Sequence, residues 1–167
     1  TDITINYFKN NLDNKNNIGI VLQSYLYRTK NDLIQLNDDI NIRLCKGIYN
    51  ENESIAIKDP HNINKNYLEL LNKAFEKNIY VGIATHDKQL INECLKIINQ
   101  RKVPDNKFEF QMLHGVPMEK SVNYLLSKQY KVRIYVPFGP DWYNYSIRRI
   151  KENPNILSYI IKNLFKR

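Results

Sequence analysis

Two arginines, Arg148 and Arg149, stand side by side in the stretch DWYNYSIRRIKENPN, three and four residues after Tyr145. On a helix that spacing sets the tyrosine ring beneath both guanidinium groups. Guanidinium forks match carboxylates through paired hydrogen bonds, so the doublet could clasp an organic acid. The plainer reading is an exposed charged face paired with Glu152, which leaves Tyr145 unexplained. A second set of polar residues interrupts apolar runs: Gln23, Arg43, Lys46, Thr85, His86, Gln111, His114 and Tyr135. A guanidinium buried in an apolar strand is costly unless satisfied, so Arg43 reads as paired with a carboxylate or as functional. Taken singly, the others are weaker: Lys46 before Gly47 suits a solvated loop, and His86 suits a helix entry bonded to backbone. Leu113 and Tyr135 suit a core. The three histidines lack metal-ligand spacing.

The elements that must carry these residues follow from periodicity. Five apolar runs rich in β-branched residues, at 18–25, 41–47, 79–87, 108–115 and 131–139, predict strands. Between them, Leu90, Ile91, Cys94, Leu95 and Ile98 make one helical stripe over 88–102, and Asp87 is its expected N-cap. Leu68, Leu71, Ala74 and Phe75 repeat the stripe over 65–78. Met118, Val122, Leu125 and Leu126 do so over 117–130, where Pro117 suits a first turn. Gly47, Gly115 and Gly139 are expected to close strands, and Gly19 and Gly82 to fall inside them. Strand alternating with helix predicts a parallel α/β sheet. A doubly wound five-stranded sheet fits the length without remainder, whereas a (β/α)8 barrel needs about 250 residues. The polar residues favour the barrel nonetheless. Each strand contributes one, most at its C-terminal end, as a ring of loops around one pocket requires. No glycine-rich loop follows the first strand, so neither a dinucleotide fingerprint nor a P-loop is present.

The 167 residues are the size of one domain, and 43% hydrophobic content with 12 tyrosines is a globular composition. The net charge of +8 admits an anionic partner, but the charges are dispersed and lack the basic block of a nucleic-acid tail. Lysines that solubilise helix faces account for it more simply. Two distant cysteines, Cys45 and Cys94, fit a reducing compartment and form no disulfide framework. No apolar run reaches the ~18 residues of a membrane span, and no signal-peptide pattern opens the chain. It begins at Thr1 with a helix already under way in TDITINYF, so it is expected to start inside a larger protein.

In order, VLQSYL, RLCKGIY, IATHD, FEFQMLHG, YVPFG and DWYNYSIRR resemble the FAD-dependent proline dehydrogenases, and the likeness runs from YFKNN to the last helix. The series Arg-Leu-x-Lys-Gly, Ala-Thr-His and Tyr-x-x-Arg-Arg is highly specific. The resemblance implies a (β/α)8 TIM barrel of which this chain, residues 1–167, is the C-terminal portion. Its five strands would be the fourth to eighth, with residues 1–10 ending the helix after the third. The family's earlier strands carry a substrate-side lysine and a Met-Glu-Asp aspartate, both absent here.

The resemblance further implies that Arg43 sits at the reactive edge of FAD as the catalytic cation and that Gln23 hydrogen-bonds the flavin. Lys46, Gly47, Ile48 and Tyr49 would line the cofactor, with Gly47 allowing close backbone approach. Thr85 and His86 would hold its dinucleotide portion. Arg148 and Arg149 would bind the L-proline carboxylate, and Leu113, Tyr135 and Tyr145 would surround its ring. Cys45 stands where relatives often have an apolar residue. The implied reaction converts L-proline to Δ1-pyrroline-5-carboxylate by hydride transfer from C5 to flavin N5, electrons passing to a membrane quinone. A cytoplasmic location follows, with peripheral contact at the inner membrane (the mitochondrial one in a eukaryote). In the tail NILSYIIKNLFKR, Ile156, Tyr159, Ile160 and Leu164 share a face better suited to packing on the barrel than to lipid. The rivals are a methylenetetrahydrofolate-reductase-like flavin barrel, which has no use for an Arg-Arg clamp, a basic sheet binding nucleic acid, and an inactive or partner-dependent half barrel.

Overall fold

The computed structural model of the chain describes residues 2–11, 18–114, 116, 118–136, 138–140 and 147. Helix α1 (Asp2–Asn10) leads into β1 (Ile20–Gln23), α2 (Thr29–Gln35) and β2 (Asn41–Cys45). Then follow α3 (Pro60–Glu76), β3 (Tyr80–Ala84), α4 (Lys88–Arg101), β4 (Phe108–Leu113), α5 (Glu119–Ser127) and β5 (Val132–Tyr135). The strands form one sheet in the order β1-β2-β3-β4-β5, every neighbouring pair parallel. A doubly wound sheet reverses its strand order at a switch point. This one never does, so its strands advance in a single direction as in a barrel wall.

Register divides the sheet into two faces. Leu22, Leu44, Ile83, Phe110 and Val132 pair in one continuous row across all five strands. With Ile20, Ile42, Val81 and Phe108 they join the apolar core, against the buried faces of α3 and α4. The alternate residues point the other way. Their rows are Val21, Arg43, Gly82 and Glu109, then Gln23, Cys45, Ala84, Gln111 and Arg133, then Leu113 and Tyr135.

The stripe read for α4 is the buried set Leu90, Ile91, Cys94, Leu95 and Ile98, and Asp87 caps it by accepting from the Gln89 and Leu90 amides. Helix α3 differs. It starts at Pro60, five residues ahead of its apolar period, because Asp59 accepts from the Asn62 amide and Pro60 occupies the first turn. Its most buried residues are Tyr67, Leu70, Leu71 and Ala74; Leu68 and Phe75 are only partly covered. In α5, Leu125 is buried whereas Leu126 is exposed. Gly19 lies one residue before β1, where a Cβ would come within 2.9 Å of the Asn41 carbonyl oxygen. Gly139 lies four residues past β5, while Gly115, Pro117 and the tail 155–167 fall outside the described residues.

Candidate functional site at the C-terminal ends of the strands

The C-terminal ends of the strands bring Gln23, Lys46, Thr85, His86, Leu113 and Tyr135 to one rim. Backbone bonding shapes its first part. The Ser24 and Tyr25 amides donate to the carbonyls of Cys45 and Lys46, each at 2.8 Å, and so carry the pairing of β1 and β2 into the loops. The buried Tyr25 ring then lies against Gly47, whose φ is +108°. A Cβ at Gly47 would overlap that ring. The glycine is thus required twice, by its left-handed backbone and by the tyrosine beneath it. Ile48 and Tyr49 follow, both exposed.

Asp87 links the next loop to this one. While its Oδ1 caps α4, its Oδ2 accepts from Lys46 Nζ at 2.6 Å and from Asn64 Nδ2 at 3.3 Å. Burial opposes its ionisation, but Lys46 and the cap hold the carboxyl below the usual range. Lys46 is therefore one half of an ion pair. Thr85 is buried and its Oγ1 accepts from the Asp87 amide at 3.2 Å. His86 Nε2 accepts from the Leu113 amide at 2.9 Å, which ties the end of β3 to the end of β4. Burial, and secondarily Arg43, pushes the imidazole's pKa down.

On the open face, Arg43 is exposed and its guanidinium carbon lies 6.0 Å from the centre of the Tyr135 ring. The expectation of a buried guanidinium is corrected here: the carboxylate of that face, Glu109, is taken by Arg133. Arg133 Nε and Nη2 donate to the two Glu109 oxygens at 2.6 and 3.0 Å, and Gln111 Nε2 donates to Oε1 at 2.8 Å. Glu109 is 1% exposed, yet these bonds and one with Tyr80 outweigh burial and keep its pKa low. Tyr80, desolvated beside the carboxylate, is pushed up to about 12. Gly82 makes the arrangement possible, since a Cβ there would overlap the Gln111 amide. Sequence reading missed Glu109 and Arg133 as a pair. Their signal was the placement of polar residues at alternate positions of apolar strands.

A family profile described as "Proline dehydrogenase" matches residues 1–161. The chain belongs to the proline dehydrogenase family. Proline dehydrogenase 2 of Bacillus subtilis is 34% identical over 166 residues, 98% of this chain and 54% of the relative. The proline dehydrogenase of Deinococcus radiodurans is 34% identical over 168 residues, 99% of this chain and 54% of its own. The chain thus spans about half the length of the curated relatives it matches. Among solved structures, proline utilization A from Bdellovibrio bacteriovorus, inactivated by N-propargylglycine, aligns with a TM-score of 0.77 at 22% identity. It covers 93% of this chain and 18% of that one. Proline utilization A from Corynebacterium freiburgense aligns with a TM-score of 0.72 at 22% identity, over 95% of this chain and 20% of its own. These likenesses show the fold, an α/β barrel wall of proline dehydrogenase type.

Of the residues expected to form the proline dehydrogenase site, Gln23, Arg43, Lys46, Gly47, Thr85, His86, Leu113 and Tyr135 gather on one face and one end of the sheet. Tyr145, Arg148 and Arg149 lie outside the described residues. The donor set suits a flat anionic dinucleotide such as FAD. Gly82 and Ala84 leave the middle strand low, Arg43 stands exposed on its flank, and the Thr85 hydroxyl and the His86 ring remain able to donate at the rim.

Proposed function

We propose that the chain is the cofactor-side, C-terminal part of a barrel that oxidises L-proline to Δ1-pyrroline-5-carboxylate with FAD and passes the electrons to a membrane quinone. Its strands take the fourth to eighth positions in that barrel. The observation that carries this reading is the meeting of an exposed Arg43 with the rim residues of three loops on one face of an all-parallel, unreversed sheet. FAD, when bound, accepts the two electrons and hydrogen that leave proline C5.

Arg43, stacked near Tyr135, keeps a positive charge at the place where negative charge develops. Lys46 enters the site neutralised by Asp87, so it shapes the loop rather than supplying a bare cation. Gln23, Thr85 and His86 hydrogen-bond the cofactor, and Gly47, Ile48 and Tyr49 line its path. Leu113, Tyr135 and Tyr145 exclude water around the pyrrolidine ring, and Arg148 and Arg149 hold its carboxylate.

Expressed as the complete coding sequence, the protein should be yellow and should bleach when L-proline is added without oxygen. A colourless protein indifferent to proline would refute the proposal. Arg148→Ala and Arg149→Ala should each raise KM for proline with FAD retained, by roughly 2–5 kcal/mol of lost binding if a buried charge pair is broken. Unchanged proline kinetics would remove the doublet from the substrate site.

A further inference from the structure

His86 meets the polypeptide through one of its two ring nitrogens. Nε2 accepts the Leu113 N–H at 2.9 Å. A backbone N–H can only donate, so Nε2 carries no proton in this arrangement, and the neutral ring must hold its proton on Nδ1. The next residue along β4, His114, sends its own amide to the Tyr135 carbonyl at 2.8 Å. Successive amides at the end of β4 thus bond to opposite sides, Leu113's to the end of β3 through His86 and His114's to β5. The ring is well placed to stay neutral, because partial burial and the Arg43 charge both disfavour the imidazolium.

We propose that His86 is a tautomer-locked bridge between the two halves of the site. Its Nδ1–H is a fixed donor to the cofactor's phosphate or ribose oxygens, and its Nε2 anchors the backbone of Leu113, a wall of the proline pocket. The proposal rests on the flavoprotein reading above for the identity of the two ligands, though the tautomer lock is a property of the polypeptide alone. His86 is in this sense a cofactor contact on one side and a positioning residue on the other.

The two roles separate by substitution. The amide of Asn reaches about as far as Nδ1, and that of Gln about as far as Nε2. In the complete coding sequence, His86→Gln should keep the Leu113 anchor and lose the donor, weakening FAD roughly 3- to 10-fold, the worth of one hydrogen bond. KM for proline should stay near its original value. His86→Asn should do the reverse, retaining FAD while raising KM for proline by roughly the same factor.

The lock itself is read by 15N NMR of the cofactor-free protein, with the His86→Asn variant identifying the signals. The neutral pattern protonated at Nδ1 is expected at pH 7. A ring protonated at Nε2, or at both nitrogens, would overturn the proposal, as would Asn and Gln variants with the same defects. A colourless protein that still shows the Nδ1–H pattern would refute the flavin reading, and with it the two-sided role.

Discussion

The ion pair of Glu109 and Arg133 is lopsided: the carboxylate side chain is 2% exposed and the guanidinium side chain 67%. Removing either partner should therefore cost different amounts. In Glu109→Gln the stranded guanidinium is already in water, so the loss should be about 1 kcal/mol, mostly the charged hydrogen bonds. Arg133→Ala strands a buried carboxylate and should cost roughly 2–4 kcal/mol. Denaturant titration of the complete protein would measure both, and equal losses would refute the asymmetry. The pH dependence follows from the same geometry. Glu109 has a folded pKa below its usual value near 4.5, so the folded state binds fewer protons than the unfolded chain in the acid range. Its contribution is complete above that value and is lost as pH falls through the folded pKa. In Arg133→Ala, burial dominates and raises the carboxyl's pKa, so the acid loss from this residue should vanish or reverse. A wild-type-like acid limb in that variant would show that Gln111 and Tyr80 alone hold the charge.

At the scale of the element, the β1 and β2 loops are fastened by the contact of Tyr25 with Gly47. Gly47→Ala should lose about 1–3 kcal/mol through its positive φ and more through the overlap with the ring. Tyr25→Ala empties a buried aromatic site and should cost about 3–5 kcal/mol alone. In the double variant the overlap is gone, so its loss should fall short of the sum by on the order of 1–2 kcal/mol. Strict additivity would mean that ring and glycine do not press on each other. The same element scale explains what the sequence disclosed. The α4 stripe and the Asp87 cap were legible because both are local: one period of 3.6 and one acidic residue before it. The start of α3 was not, because HNINKN carries no apolar period, although Asp59-Pro60 marked the cap. The Arg43 environment was misjudged because the register of β2 against β4 lies in no local pattern. Only pairing across the strands shows that Glu109 meets Arg133, while Arg43 lies exposed beside the Tyr135 ring. Asp87 was read as a cap and nothing else, since its second bond, to Lys46, spans 41 positions. The rim residues were recognised through the order of their motifs, each of which alone admitted a plain structural role.

At the scale of the molecule, helices cover one face of the sheet, and the other carries Val21, Arg43 and Tyr135 exposed. Among the described residues, β1 pairs only with β2 and β5 only with β4. Such edges present rows of unpaired amides and carbonyls that invite another strand. A closed barrel removes both edges and fills its interior with side chains in layers. The mixed rows of this face, with their single buried carboxylate, suit such an interior far better than a solvated surface. The 167-residue chain expressed alone should therefore self-associate, detectable by sedimentation velocity, in spite of its +8 charge. A separate polypeptide supplying the first three βα units should convert it to a one-to-one complex. Hydrogen exchange would locate the contact: β2 to β4 amides should be protected in both states, whereas β1 and β5 should gain protection only in the complex. The two edges differ in what they offer. In β1 only Val21 is exposed and Ile20 and Leu22 are buried, while in β5 both Ile134 and Tyr135 are exposed. Closure should thus bury more new apolar surface at β5, and its amides should slow the more. A monomeric chain with equally protected edges would mean that the sheet is complete without further strands.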